Sequence, residues 1–163
     1  MDKSLFWFFL FLLISIVAYL IIPRKQLYRL LPFGIVAGFI LAMALLLFTV
    51  SWIELWQFSN ASTASLLGIP LFLAFAWVPA TMIFAHYVPV LHERRLLIFW
   101  IMFFTFGTTM VQSLLLTADF MRFLRWDLLA SMLGTFSIHT ILALFVLKYD
   151  ISLPEYRENN DRI

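Results

Sequence analysis

Four polar side chains recur at intervals of four residues near the end of the sequence: Asp127, Ser131, Thr135 and His139. This spacing places them along one face of an α-helix. His139 is the only strongly ionisable side chain deep within any apolar segment of the chain, about 16 Å from the start of its own segment. Ionisable groups at such a depth in a bilayer are costly, and they indicate a functional site by default.

A second set of polar side chains occupies one side of the preceding apolar segment: Thr105, Thr108, Thr109, Gln112 and Asp119. Antiparallel packing of the two segments would bring the level of Thr105 to Thr108 close to His139. Two interpretations follow. In the first, the facing stripes enclose a hydrated path for protons or ions, in which neutral His139 accepts and releases a proton. Alternatively, the polar groups join the helices through hydrogen bonds, each worth about 0.6 kcal/mol on average. The second is preferred because Ser and Thr are common where membrane helices touch.

A third group of chemically active side chains is charged and lies near the ends of the apolar segments, among three tryptophans: Glu54, Asp119, Arg122, Arg125 and Asp127. Such a mixture can bind a lipid headgroup or a small polar ligand. It can equally form interfacial ion pairs, each worth about 0–1 kcal/mol when exposed. Ion pairing is preferred, because nothing in the spacing requires a ligand.

Motifs of known enzyme and metal chemistry are missing from the sequence. It contains no glycine-rich phosphate loop, no HExxH, no GxSxG and no cysteine. His86 and His92 lie six residues apart with Pro89 between them, so a regular helix cannot align them on one metal ion. We therefore predict no cofactor and no metal centre. Asn60-Ala61-Ser62 matches a glycosylation acceptor.

The composition indicates what must position these side chains. Charged residues make up 12% and apolar residues 64% of the 163 residues, with a mean hydropathy of +0.99. Soluble domains carry about 25% charged and about 45–50% apolar residues. A net charge of +2 gives no reason to expect nucleic acid as a partner. The chain is predicted to lie in a lipid bilayer.

The apolar segments define the predicted architecture, an all-α polytopic membrane protein. A helix needs roughly 20 apolar residues to cross about 30 Å of hydrocarbon. Five spans meet this length, at about 4–22, 30–50, 66–88, 96–117 and 128–147, in one domain of residues 1–147 followed by a polar cytoplasmic tail, 148–163. Pro32 is expected in the first turn of its span, and Pro79 is expected to kink the third span as a packing device.

The basic residues predict the orientation. Eight of the eleven Lys and Arg residues fall on the side of the loop after the first span, and three fall opposite. Because Lys and Arg are retained in the cytoplasm, this asymmetry places the N-terminus outside and the C-terminus inside. Trp52, Trp56 and Trp126 then lie at the outer interface, where amphipathic rings are enriched.

Two glycines in the second span are spaced for helix contact. Gly34 and Gly38 form a GxxxG pair, which lets two helix backbones approach closely. Together with the hydroxyl residues of the fourth and fifth spans, they indicate a protein that acts through helix contacts.

Three segments resemble a family of small, uncharacterised multipass membrane proteins of Gram-positive spore-forming bacteria. They are PRKQLYRLLPFGI (23–35), WIELWQF (52–58) and FAWVPATMIFAHYVP (75–89). The resemblance covers about the first 120 residues. It implies a bacterial cytoplasmic-membrane protein with five helices, and it implies no activity.

The sequence therefore predicts a multipass protein of the cell membrane that is non-enzymatic, either an accessory subunit of another membrane protein or a self-associating scaffold. The alternative is a proton-coupled or ion-conducting carrier that uses the polar faces of spans four and five. Five helices are few for a monomeric transporter, and no inverted repeat is evident. A third hypothesis is an enzyme acting on a lipid or polyisoprenoid, with Glu54 or Asp119 as acid or base.

Overall fold

The structure is a computed structural model that describes residues 3–59, 64–88, 93–149 and 151. This part of the chain is mostly helical, which agrees with the predicted all-α character. Its five helices are α1 (Lys3–Ile21), α2 (Arg24–Trp52), α3 (Leu71–Tyr87), α4 (Arg94–Thr117) and α5 (Leu128–Tyr149).

Three of these helices, α2, α4 and α5, are long and apolar enough to cross a membrane. The other two, α1 and α3, are apolar and shorter. Large apolar side chains cover the outside of the bundle. Leu20, Phe99, Met110 and Ile141 each expose between 65% and 75% of their surface. Water would not tolerate a surface of this kind, whereas lipid tails would, so the structure supports a location in a membrane.

Helix α2 is longer than the sequence predicted, and Pro32 is not in its first turn. The helix begins at Arg24, directly after Pro23, so Pro32 lies inside it. The prediction for Pro32 was wrong because the basic segment before the apolar run is itself helical. Wide π-type turns follow at Gly34–Ile40 and again at Leu47–Trp52. Such turns change the hydrogen-bonding pattern of the backbone and commonly accompany a local distortion of the helix.

Helix α3 is the centre of the bundle. It makes the most extensive contacts of any helix, against α1 on one side and α2 on the other. Small side chains such as Ala74, Ala76 and Ala85 are almost fully buried along it, so neighbouring helices approach its backbone closely. Pro79 is also buried, and the helix continues through it to Tyr87. Helices α4 and α5 pack against each other as an antiparallel pair.

The glycine pair of α2 lies against α3 of the same chain. A Cβ atom placed on Gly34 would come 2.7 Å from Cγ of Met82, and one placed on Gly38 would come 2.6 Å from the carbonyl oxygen of Trp77. Both distances are shorter than real Cβ contacts. At Gly38 the atoms met include backbone, so only glycine fits there, whereas at Gly34 the Met82 side chain would have to shift. The helix contact expected of these glycines is therefore made within the chain.

One end of the bundle, here the capped end, is closed by short strands that the sequence did not predict. Strand β1 (Trp56–Phe58) pairs antiparallel with β4 (Met121–Phe123), and β2 (Ser65–Leu66) pairs with β3 (Ile69–Pro70). Trp7, near the start of α1, is 2% exposed and packs with Phe58, Leu115 and Met121. The start of α1 therefore lies at the same end as the α2–α3 and α4–α5 links.

The opposite end gathers the basic residues and is called the basic end. Ala18, in the last turn of α1, and Ile22, just after this helix, pack with Leu30, Val88 and Val146 in one apolar cluster. The end of α1, the start of α2, the end of α3 and the end of α5 therefore meet there. The basic residues beside this cluster that the structure describes are Arg24, Lys25, Arg29, Arg94, Arg95 and Lys148.

Candidate functional site

The two polar stripes predicted from the sequence lie on buried helix faces. On α4, Thr105 is 1% and Thr109 8% exposed, and on α5, Ser131, Thr135 and His139 are 4%, 8% and 3% exposed. Gln112, one turn beyond Thr109, continues the α4 stripe on the same face. These six residues are called the polar seam: Thr105, Thr109, Gln112, Ser131, Thr135 and His139.

A ring contact sets the register between the two stripes. The rings of Phe104 and His139 have centroids 5.7 Å apart. Gln112 lies eight residues after Phe104, and Ser131 lies eight residues before His139, so each is about 12 Å nearer the capped end. Because α4 and α5 run antiparallel, Gln112 and Ser131 lie at about the same depth.

The hydroxyl groups of α4 and α5 do not form hydrogen bonds between the helices in the part of the chain that the structure describes. Thr105 donates to the carbonyl of Ile101 and Thr109 to that of Thr105, both at 2.8 Å. Ser137 and Thr140 of α5 likewise donate to carbonyls one turn earlier in their own helix. The preferred interpretation of these hydroxyls as interhelical glue therefore gains no support from their hydrogen bonds.

Two seam residues have a buried polar atom without a hydrogen-bond partner among the described residues. These atoms are Oε1 of Gln112 and Nδ1 of His139, for which the backbone carbonyl of Thr135, one turn earlier, is nearby but outside hydrogen-bonding geometry. Nε1 of Trp56, near the capped end, is also buried without a hydrogen-bond partner among the described residues. An unpaired buried polar atom costs about 1–3 kcal/mol, and in folded proteins such atoms usually bind ordered water. These two atoms are therefore the positions in the seam at which a water molecule would gain a hydrogen bond.

Aromatic side chains surround His139 on the side of the basic end. The Phe84 ring lies 5.2 Å from the imidazole, and Trp100 lies 4.9 Å from Phe104 and 5.1 Å from Tyr87, all between ring centroids. The indole nitrogen of Trp100 donates to the carbonyl of Phe84 at 3.2 Å. The sequence interpretation did not single out these rings. Their apolar character resembles that of any core residue, and only the fold brings them to His139.

Thr108 lies away from the seam, although the sequence grouped it with Thr105. It lines an apolar cleft of about 280 Å³ between α1, α3 and α4. Ala76 and Ala80, on either side of Pro79, line the same cleft, while Pro79 itself is buried. No carboxylate, histidine or basic side chain contributes to this lining. The cleft accordingly offers shape and apolar surface but no acid or base.

The charged cluster predicted near the outer surface is exposed at the capped end: Glu54, Asp119, Arg122, Arg125 and Asp127. Arg122 donates to the amide oxygen of Gln57 at 2.8 Å, across the β1–β4 pair. Asp127 accepts from the backbone N–H of Ala130 at 2.7 Å and so caps the start of α5. Glu54 and Asp119 have positive φ angles of 49° and 59°, just beyond the ends of α2 and α4.

The structure describes only one of the two histidines near the basic end. His86 is at the end of α3, whereas His92 and Pro89 lie outside the described residues. Within the described ranges no group of three His, Cys, Asp or Glu side chains is close enough to hold a metal ion. The glycosylation motif at 60–62 also lies outside the described residues.

Comparison with protein-family models, with curated proteins and with solved structures finds no match for the chain. The function must therefore be inferred from the arrangement of its own residues.

Proposed function

We propose that the chain is an integral membrane protein that crosses the bilayer five times, with its N-terminus outside. Helices α1 and α3 have 19 and 17 residues, which correspond to about 28 and 26 Å. Both lengths approach the roughly 30 Å of a hydrocarbon core. Support also comes from the two ends of the bundle, since the start of α1 lies at the capped end and six of the nine described Lys and Arg residues lie at the opposite one.

Cysteine labelling tests this membrane topology without background reaction, because the chain has no cysteine of its own. Single variants Ser65→Cys and Arg122→Cys are expected to react with a membrane-impermeant maleimide on intact cells. Glu93→Cys and Lys148→Cys are expected to react only after the membrane is permeabilised. Labelling of Ser65→Cys and Lys148→Cys from the same side would contradict the three crossings proposed between them.

The polar seam further supports a proton-coupled or ion-conducting carrier as the function of this bundle. The observation that carries this proposal is His139, which is 3% exposed and has an unpartnered Nδ1 on the same buried faces as the unpartnered Oε1 of Gln112. An imidazole takes up and releases a proton at its ring nitrogens, and water bound to unpaired polar atoms would supply the relay. Phe84 contacts the imidazole from the side of the basic end, so a proton path towards that end requires this ring to move.

The contacts within the bundle favour this function over the scaffold that the sequence suggested first. Gly34 and Gly38 are covered by α3 and so offer no open surface to a second copy. The seam hydroxyls of α4 satisfy their donors within their own helix, so their oxygen atoms retain lone pairs that can accept hydrogen bonds. Both features are more typical of a path for protons or ions lined by polar side chains than of a surface that binds another helix.

Water access to the seam is testable with small thiol reagents. Gln112→Cys and Thr135→Cys are expected to react with a methanethiosulfonate reagent added on the outer side, because these reagents require a hydrated thiolate. Met110→Cys and Leu133→Cys are the matched controls, since both side chains are exposed on the lipid-facing surface, 66% and 58%. Equal reactivity of all four variants, or none at the two seam positions, would count against a wet seam.

Transport itself is measured in proteoliposomes. A pH-sensitive dye inside the vesicles reports proton entry under an imposed membrane potential, and parallel tests replace the proton gradient with Na⁺ or K⁺ gradients. His139→Leu is expected to abolish the flux, and Ser137→Ala, on the exposed side of α5, is expected to leave it unchanged. No flux from the unmodified protein, or flux that is indifferent to His139→Leu, rules out this mechanism.

A second candidate function is an accessory or self-associating role through α5. A Cβ atom placed on Gly134 would meet nothing within 4 Å, and the neighbouring Leu133 is 58% exposed. A helix of another subunit can approach closely at such a position. Gly134→Leu should then reduce the oligomer size in mild detergent, and an unchanged size would contradict it. The enzyme hypothesis lacks comparable support, because no carboxylate lines the cleft.

A further inference from the structure

Helices α1 and α4 both lie beside α3, and the gap between them forms the cleft. Helix α3 is the floor, where the small side chains of Ala76 and Ala80 leave space. Leu10 and Ile14 of α1 form one wall, and α4 forms the other. On the α4 wall, a Cβ atom placed on Gly107 would meet nothing within 4 Å, so this glycine opens the cleft further.

The cleft is closed at the capped end of the bundle. There Phe6 of α1 contacts Phe120, just beyond α4, with ring centroids 4.5 Å apart, and Trp7 lies 5.8 Å from the same ring. Beyond this contact, α1 and α4 run alongside α3 towards the basic end, and the cleft lies between them. Because its lining residues lie along the middle parts of α1, α3 and α4, the cleft is at the depth of the hydrocarbon core in the proposed membrane position, and an occupant enters it from the side.

An empty or water-filled cleft is unfavourable at this position. Apolar walls do not offer water the two to four polar partners that it needs. An unfilled gap loses the dispersion contacts of the atoms that line it. The surrounding bilayer supplies an apolar filler at high concentration, so a lipid component is the natural occupant.

The size of the cleft distinguishes between two apolar occupants, a helix and a single hydrocarbon chain. The α4 wall from Phe103 to Val111 spans about 12 Å. A helix is about 10 Å across. The cleft has a volume of about 280 Å³, and its space is left by the missing side-chain atoms of Ala76, Ala80 and Gly107. Gaps of side-chain width suit one hydrocarbon chain.

We propose that this cleft binds one acyl chain of a membrane phospholipid, inserted laterally between α1 and α4 over the Ala76 and Ala80 floor. The inference rests on the proposed position of the bundle in the bilayer, and it does not depend on transport through the polar seam. Trp77, whose side chain lines the cleft, contacts the bound chain.

Photolabelling with a lipid probe tests the proposal. The full chain is reconstituted into phosphatidylcholine vesicles that contain a small fraction of phosphatidylcholine with a diazirine on one acyl chain, irradiated, and mapped by mass spectrometry. Label is expected to be enriched severalfold at Trp77 and Ala80 over Leu20 and Ile141, which face the general lipid. Gly107→Leu fills the cleft and should remove this enrichment. Gly134→Leu is the matched control, because its Cβ position is also open but lies on α5.

The remaining outcomes separate the possible failures. Label spread evenly over all apolar surfaces, or enrichment at Trp77 that survives Gly107→Leu, would overturn the acyl-chain site. Crosslinks between two copies of the chain at Trp77 would show that protein fills the cleft, which also overturns it. Absence of label at Leu20 and Ile141 as well would mean that the bundle is not embedded in lipid, a failure of the proposed membrane position itself.

Discussion

Trp126 donates a hydrogen bond from its indole Nε1 to the hydroxyl oxygen of Ser131 over 2.8 Å. Ser131 is 4% exposed at the start of α5, and Trp126 belongs to the link between α4 and α5. The Trp126 ring also lies 6.2 Å from that of Trp56, beside strand β1. One bond thus ties the link at the capped end to the first turns of the helix that carries His139.

Removing this bond is expected to destabilise the bundle modestly. Trp126→Phe and Ser131→Ala should each lower the free energy of unfolding by about 0.5–1.5 kcal/mol, the net value of one hydrogen bond. The double variant should lose less than the sum of the two, because each single change already breaks the same bond. Unfolding in mixed detergent and dodecyl sulfate micelles, followed by tryptophan fluorescence or circular dichroism, gives these values. Strictly additive losses would contradict a direct bond.

Gly38 is expected to tolerate no side chain. Gly38→Ala places a Cβ atom 2.8 Å from the Cα of Val78 in α3, and overpacking of this kind costs about 1–3 kcal/mol. The control is Gly134→Ala, where the Cβ position is open and alanine improves helix propensity by roughly 0.5–1 kcal/mol. We therefore expect the two substitutions to have opposite signs in the same unfolding assay. A harmless Gly38→Ala would mean that α2 and α3 do not meet at this position.

His139 is expected to contribute little to stability. His139→Leu removes an unpartnered polar atom, a gain of about 1–3 kcal/mol, and loses the ring contacts with Phe84 and Phe104, each worth about 0.5–1.5 kcal/mol. The two effects largely cancel, so the free energy of unfolding should stay within about 1 kcal/mol of that of the unmodified protein. A loss of several kcal/mol would show that the imidazole is a structural hydrogen-bonding group. Because the fold survives, loss of flux in this variant reports on function.

Asp127 is expected to act as a helix cap. Asp127→Ala removes the acceptor for the Ala130 N–H and should cost about 1 kcal/mol. Asp127→Asn keeps an acceptor oxygen and should cost much less, which separates capping from charge. Thermal unfolding of the three proteins side by side measures the difference. Equal losses for both substitutions would indicate that the carboxylate charge matters instead.

The sequence determined most helices of this protein closely, because the length of an apolar run and its polar flanks are local properties. The third span is the exception: it was predicted from residue 66, but its helix begins at Leu71 after two short strands. The predicted spans at 96–117 and 128–147 correspond to α4 and α5 within two residues at each end. The spacing of four residues also placed Ser131, Thr135 and His139 on one face correctly. Helix α2 was predicted too short because its first turns are basic and amphipathic.

The sequence did not predict which residues of different helices contact each other, because these contacts depend on how the helices pack and not on any one helix. The glycine pair of α2 contacts its own α3, the hydroxyls of α4 bond within their helix, and Thr108 faces an apolar cleft instead of the seam. Helical periodicity assigns a residue to a face, but it does not say which neighbour covers that face. Only the tertiary structure decides that, since the choice is made by the summed packing of all five helices.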